Sequence, residues 1–268
     1  MGKFGLIGGG VMGEALLSRL IELKIFNASE VVVSEPQLSR RHFLEQKYGV
    51  ATCEDNKQVI TSTKVVLLAI KPQVFNQISQ EISDVLPIDN PPLVVSILAG
   101  VSLSQLEAGF PNMAVIRAMP NTPAIVGGGI TAICMGRHTT DSDRSVAKNL
   151  LEAVGEVVEV PENLMDAVTG LSGSGPAYVA LMIEALADGG VASGLPRATA
   201  NQLALQTVLG TAQLLQQTKI HPAELKDRVT SPGGTTIAGV SELEKAGFRS
   251  ALIEAVKAAT RRSQELGK

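Results

Sequence analysis

The chain has 268 residues, 45% of them hydrophobic, with 26 glycines and a formal net charge of −3, which suits a compact α/β protein. No lysine–arginine cluster is dense enough to track a phosphate backbone and the aromatic residues (six Phe, two Tyr) are scattered, which argues against nucleic acid as a partner. No apolar segment is long enough to span a bilayer, the N-terminal apolar run is too short for a signal peptide, and Cys53 and Cys134 stand alone, so a cytoplasmic protein with reduced thiols and no membrane contact is expected.

Residues 3–13, Lys-Phe-Gly-Leu-Ile-Gly-Gly-Gly-Val-Met-Gly, pass from a short apolar run into Gly8, Gly10 and Gly13, spaced G-x-G-x-x-G. An amphipathic helix follows, with Leu16, Leu17, Leu20, Ile21 and Leu23 on its apolar face. This is the form of a first strand, a tight turn and a helix whose N-terminus holds a diphosphate. A glycine turn also joins strand to helix for packing alone; the strand before and the helix after favour dinucleotide binding.

Residues 30–34 then read as a strand, 37–48 as a charged helix, 64–70 as a strand buried on both faces and 72–85 as a helix. Residues 93–97, 114–118 and 130–135 read as further strands. The alternation predicts an α/β Rossmann-type doubly wound parallel sheet with ligands at the carboxyl ends of its strands. Near Pro161 the character changes. From residue 163 onward there is no convincing strand, and 175–190, 196–217, 222–229 and 248–266 are helical and rich in Ala and Leu. The expected organisation is a dinucleotide-binding domain over 1–161 and an all-α domain over 162–268. Helices as apolar as 177–187 require burial, against a second subunit or against the first domain.

Several polar or glycine-rich islands carry candidate chemistry. Glu35 lies 22 residues after Gly13, near the position of an acid that hydrogen-bonds an adenosine ribose; Arg40 and Arg41 follow and suit a 2′-phosphate instead, so the spacing admits either NADPH or NADH. Ala69-Ile70-Lys71-Pro72 and Ser96-Ile97-Leu98-Ala99-Gly100 end two buried strands along the expected crevice. Lys71 reads as a backbone-fixed residue before a catalytic acid. Asn121 and Thr122 suit either the nicotinamide or a rigid turn. Ser231-Pro232-Gly233-Gly234-Thr235-Thr236 has more glycine and hydroxyl than one helix cap requires, and its amides suit a carboxylate. In Leu171-Ser172-Gly173-Ser174-Gly175-Pro176 close packing and ligand contact are equally good explanations. His42, His138 and His221 are isolated, so no metal site is expected.

The run from Asp166 through Thr169-Gly170-Leu171-Ser172-Gly173-Ser174-Gly175-Pro176-Ala177-Tyr178 closely resembles pyrroline-5-carboxylate reductases. So do Ala185-Leu186-Ala187-Asp188-Gly189-Gly190, Gly194-Leu195-Pro196-Arg197, His221-Pro222 and the Ser231 to Thr236 loop, and the similarity runs nearly end to end. The resemblance implies NAD(P)H-dependent reduction of 1-pyrroline-5-carboxylate to L-proline. It also implies a helical dimerisation domain, a homodimer whose site draws on both domain types, and in some members a ring of dimers. Carried over residue by residue, Ile7, Gly8, Gly9, Gly10, Val11 and Met12 of the glycine turn, Asn56, Ala69, Ile70, Lys71, Pro72, Ile97, Leu98 and Ala99 meet the cofactor. Ser231 belongs to the substrate loop, the amides of Gly233, Gly234 and Thr235 grip the substrate carboxylate, and the Thr236 hydroxyl acts catalytically beside the ring nitrogen. An acid at Glu35 departs from many relatives and leaves the choice between NADPH and NADH open. Two rivals carry less: a β-hydroxyacid dehydrogenase needs a lysine early in the second domain, absent between 163 and 197, and a non-catalytic dinucleotide-binding scaffold has no use for a carboxylate pocket.

Overall fold

The computed structural model describes residues 4–267. Lys3, at the head of the glycine-bearing run, lies outside them. Among the described residues one sheet contains β1 (Phe4–Ile7), β2 (Val31–Ser34), β3 (Ala51–Cys53), β4 (Val65–Leu68), β5 (Leu93–Ser96), β6 (Val115–Met119), β7 (Gly129–Met135) and β8 (Gly155–Glu159). Their order is β3-β2-β1-β4-β5-β6-β7-β8, so the strand order reverses between β1 and β4. The expected all-parallel sheet is corrected at one pair: β6 and β7 are antiparallel. Residues 120–128 between them are too few for a crossover helix, so β7 turns back beside its neighbour.

Alternation along the strands feeds two cores. Phe4, Leu6, Val65, Leu67 and Val95 face one side, where they meet Leu16, Leu17 and Leu20 of α1 (Val11–Glu22) and Leu44 of α2 (Leu38–Tyr48). Ile7, Val66, Leu68 and Val94 face the other, against α3 (Asn56–Ser62), α4 (Phe75–Ser83) and α5 (Leu103–Gly109). Complete burial of each leucine of α1 is worth about 2 kcal/mol. Gly5 has a packing reason of its own, since a Cβ there would stand 2.5 Å from Val59 of α3. On the first face α6 (Asp141–Glu152) adds Ala147, Leu150 and Leu151, and a capping box starts it: Asp143 N–H donates to Thr140 Oγ1, and the Asp143 carboxylate accepts from Thr140 N–H.

Packing divides the chain into two compact units. The first extends to Gly173 and also contains the segment from Ala259; the second is Ser174–Ala258. The change of composition at residue 161 and the packing division at 173 are thus different boundaries. The residues between them stay with the sheet because Met165 and Val168 of α7 (Met165–Val168) join its second core. In the same unit Asp166 accepts from Ser263 Oγ at 2.6 Å. A π-helical turn, Thr169–Gly173, closes the segment.

The second unit holds α8 (Gly175–Ala192), α9 (Arg197–Thr218), α10 (Pro222–Arg228), α11 (Thr235–Lys245) and most of α12 (Phe248–Leu266). α8 and α9 approach closely through small residues, with Ala187, Ala200 and Ala204 buried and Gly190 against Ala200. Three alanines are a slight core. Leu181, Leu203 and Leu205 remain 66%, 53% and 56% exposed in the single chain.

Candidate active site

A cavity of about 520 Å³ opens at the carboxyl ends of β1, β2 and β4, where the strand order reverses. Doubly wound sheets hold their ligands at this switch point. Eight predicted cofactor residues line it: Ile7, Gly8, Gly10, Glu35, Asn56, Ala69, Ile70 and Lys71. Gly8 has φ +101° and lies so close to β4 that a Cβ would stand 2.7 Å from the Ala69 carbonyl oxygen. A Cβ on Gly13 would collide with the Gly8 carbonyl oxygen. Gly10 differs, because a Cβ there meets nothing within 4 Å. Two glycines close the turn and the third leaves open space at the start of α1, whose N-cap makes no side-chain hydrogen bond. That space and the unpaired first-turn amides fit a dinucleotide diphosphate.

The other predicted cofactor residues stand around the cavity without lining it. Gly9 is buried and its N–H donates to Glu35 Oε2 at 3.0 Å. Val11 instead flanks a groove with Glu14, Tyr48 and Ile125, while Met12 and Ile97 pack on the first core. Gly13 and Leu98 are buried, Pro72 is half-buried and Ala99 is exposed. Asn56, which only the resemblance singled out, accepts from Ser34 Oγ at 2.7 Å and donates to Glu81 Oε2 at 3.1 Å. Glu54, Gln77, Ile78 and Glu81 also line the cavity and carried no signal in the sequence.

At the β2 end a charged network holds the glycine turn. Glu35 accepts from Gly9 N–H and from Gln37 N–H, each at 3.0 Å. Arg40 Nε donates to the Gly9 carbonyl at 2.6 Å, and its guanidinium pairs with Glu14 of α1. Glu14 also accepts from Tyr48 Oη at 2.7 Å and Lys47 Nζ at 3.0 Å. Partial burial pushes the Glu14 carboxyl up, but Tyr48, Arg40 and Lys47 more than reverse this and lower it to about 2. Elsewhere in this unit Asn121 is a structural residue: Oδ1 accepts from Ile130 N–H at 3.0 Å and Nδ2 donates to the Ser172 carbonyl at 3.2 Å. Burial raises the thiols of Cys53 and, to about 12, Cys134, so neither is presented as a thiolate nucleophile.

In the second unit the Ser231–Thr236 loop forms a turn into α11. Gly233 has φ +66°, and Gly234 is the N-cap, with no side-chain cap bond. Gly234 N–H donates to the Ser231 carbonyl at 3.1 Å, so this amide closes the turn, unlike those at the start of α11. A Cβ on Gly234 would collide with Ser231 Oγ.

A doubly wound sheet with a glycine turn and a cavity at its switch point defines a dinucleotide-binding protein. Residues 3–100 match the family described as NADP oxidoreductase coenzyme F420-dependent, and residues 162–266 match pyrroline-5-carboxylate reductase dimerisation. The chain is 60% identical to the pyrroline-5-carboxylate reductase of Synechocystis sp. over 99% of its own length and 98% of the relative's. A Coxiella burnetii pyrroline-5-carboxylate reductase structure superposes with TM-score 0.93 at 34% identity, covering 100% of this chain and 99% of the other. The Plasmodium falciparum pyrroline carboxylate reductase, solved with NADP bound, gives 0.88 at 30% identity, covering 99% and 98%. The chain belongs to the pyrroline-5-carboxylate reductase family. Its helical segment is a dimerisation domain of that family, and Leu181 of α8 and Leu203 and Leu205 of α9 are exposed in the single chain. Among the described residues no helix is long and apolar enough to cross a membrane.

Proposed function

We propose that the protein reduces 1-pyrroline-5-carboxylate to L-proline with NADPH or NADH. The observation that carries this reading is the switch-point cavity, lined by the glycine turn, Asn56 and the Ala69–Lys71 strand end in a chain that matches the family along its whole length. Bound reduced nicotinamide supplies a hydride.

The remaining work belongs to the chain. The substrate is a cyclic imine with its own electrophilic carbon, so the reaction calls for no protein nucleophile. The open face at Gly10 and the first-turn amides of α1 hold the diphosphate. The amides of Gly233 and Thr235 hold the substrate carboxylate, with Ser231 and Gly234 shaping the turn. The Thr236 hydroxyl serves the ring nitrogen as hydrogen-bond partner and keeps it protonated as it becomes an amine. Catalysis rests on positioning and on stabilising charge at that nitrogen. A homodimer acting in the cytoplasm completes the reading.

The test is oxidation of NADPH and NADH with freshly prepared pyrroline-5-carboxylate, with proline identified as product. Thr236→Ala, which removes one hydrogen bond to a charged group, is expected to lower turnover by about tenfold to a hundredfold while folding and dinucleotide affinity hold. Unchanged turnover at saturating dinucleotide removes Thr236 from the chemistry. No oxidation by folded, dinucleotide-binding protein defeats the reductase reading.

A further inference from the structure

Glu35 is a buried residue, 8% exposed, that lines the cavity at the end of β2, and its carboxylate is held at both oxygens by backbone donors. Gly9 N–H and Gln37 N–H use two of its roughly four acceptor positions. The other two match the paired hydroxyls of an unmodified ribose. A 2′-phosphate at the same place needs donors and positive charge, and meets a fixed anion instead.

The two arginines that suit a phosphate are already committed. Arg40 bridges the Gly9 carbonyl and Glu14, with its guanidinium carbon 4.7 Å above the Phe43 ring. Arg41 reaches Glu54 at 2.5 Å and donates to the carbonyls of Glu35 and Pro36 at 2.8 and 3.1 Å. Moving Arg40 to a phosphate breaks its pair with Glu14 and releases the Gly9 carbonyl, loosening the turn that holds the diphosphate. Each guanidinium at this end thus faces a carboxylate, and a phosphate would bring its charge without a counter-charge.

We infer that the adenosine end of this cavity selects a free 2′-hydroxyl, with Glu35 as the discriminating residue, so that the chain binds NADH more tightly than NADPH. The inference rests on the dinucleotide reading of the cavity. It is tested by titrating NADH and NADPH separately into the wild type, Glu35→Gln and Arg40→Met, using calorimetry without substrate.

The wild type is expected to bind NADH about tenfold or more tightly than NADPH, the scale of one charge-assisted hydrogen bond. Glu35→Gln keeps an acceptor for Gly9 N–H but removes the charge, and is expected to bring the two affinities close together. Arg40→Met is expected to weaken both dinucleotides alike. Tighter NADPH binding by the wild type, an unchanged ratio in Glu35→Gln, or a loss confined to NADPH in Arg40→Met overturns the inference and leaves the reductase standing. Binding of neither dinucleotide by folded wild type rejects the dinucleotide reading, and the inference with it.

Discussion

Gly10 and Gly13 occupy one turn but answer to different neighbours. At Gly13 the neighbour is the Gly8 carbonyl, so Gly13→Ala is expected to cost roughly 1–3 kcal/mol of stability through overpacking. At Gly10 the side is open, so Gly10→Val is expected to leave the melting temperature nearly unchanged while abolishing dinucleotide binding in calorimetry. Equal loss of stability in both variants would dismiss this division of roles. The spacing of the three glycines was visible in the sequence because the turn is local. Asn56 was not, since its partners Ser34 and Glu81 are 22 and 25 residues away and meet it only once the sheet forms.

At the scale of elements, α1 and α2 are fastened through Glu14, which receives Arg40, Lys47 and Tyr48 from α2. The folded carboxyl at about 2 lies below the ordinary 4.5, so the link stabilises the fold above the ordinary value and is lost as pH falls from there toward 2. Glu14→Gln is expected to lower unfolding free energy at neutral pH by on the order of 2 kcal/mol, after allowance for partial exposure. In urea titrations at a series of pH values the gap between variant and wild type should close below about pH 4; a gap independent of pH would discard the pairing. The buried strands β4 and β5 were legible as continuous apolar runs, because both their faces are covered. β3 and β8 were not: β3 has three residues and β8, Gly-Glu-Val-Val-Glu, is a largely exposed edge with no two-residue hydrophobic period. The reversed direction of β7 had a signal in the short 120–128 connection, too few residues for a crossover helix, which the regular alternation of the preceding elements masked.

The whole molecule contrasts a first unit with two extended cores and a second unit whose buried cluster is three alanines. With Leu181, Leu203 and Leu205 mostly exposed, the second unit is expected to gain stability from association. Its thermal unfolding midpoint is therefore expected to rise with protein concentration, and Leu205→Glu to yield a smaller species in sedimentation velocity. A concentration-independent midpoint with unchanged sedimentation would refute that dependence.

The amino-acid sequence by itself determined the Rossmann-type class, the glycine turn and the helical second half, because strand runs, helical periodicity and glycine spacing are local patterns. It also carried the family, through motifs spread over nearly its whole length. Only the tertiary structure decided which residues gather at the switch point, that Glu35 holds the N–H and Arg40 the carbonyl of Gly9, and that residues 162–173 pack with the sheet. The reason is physical: each depends on contacts between segments far apart in the chain, whose geometry is set when the sheet and its helices pack.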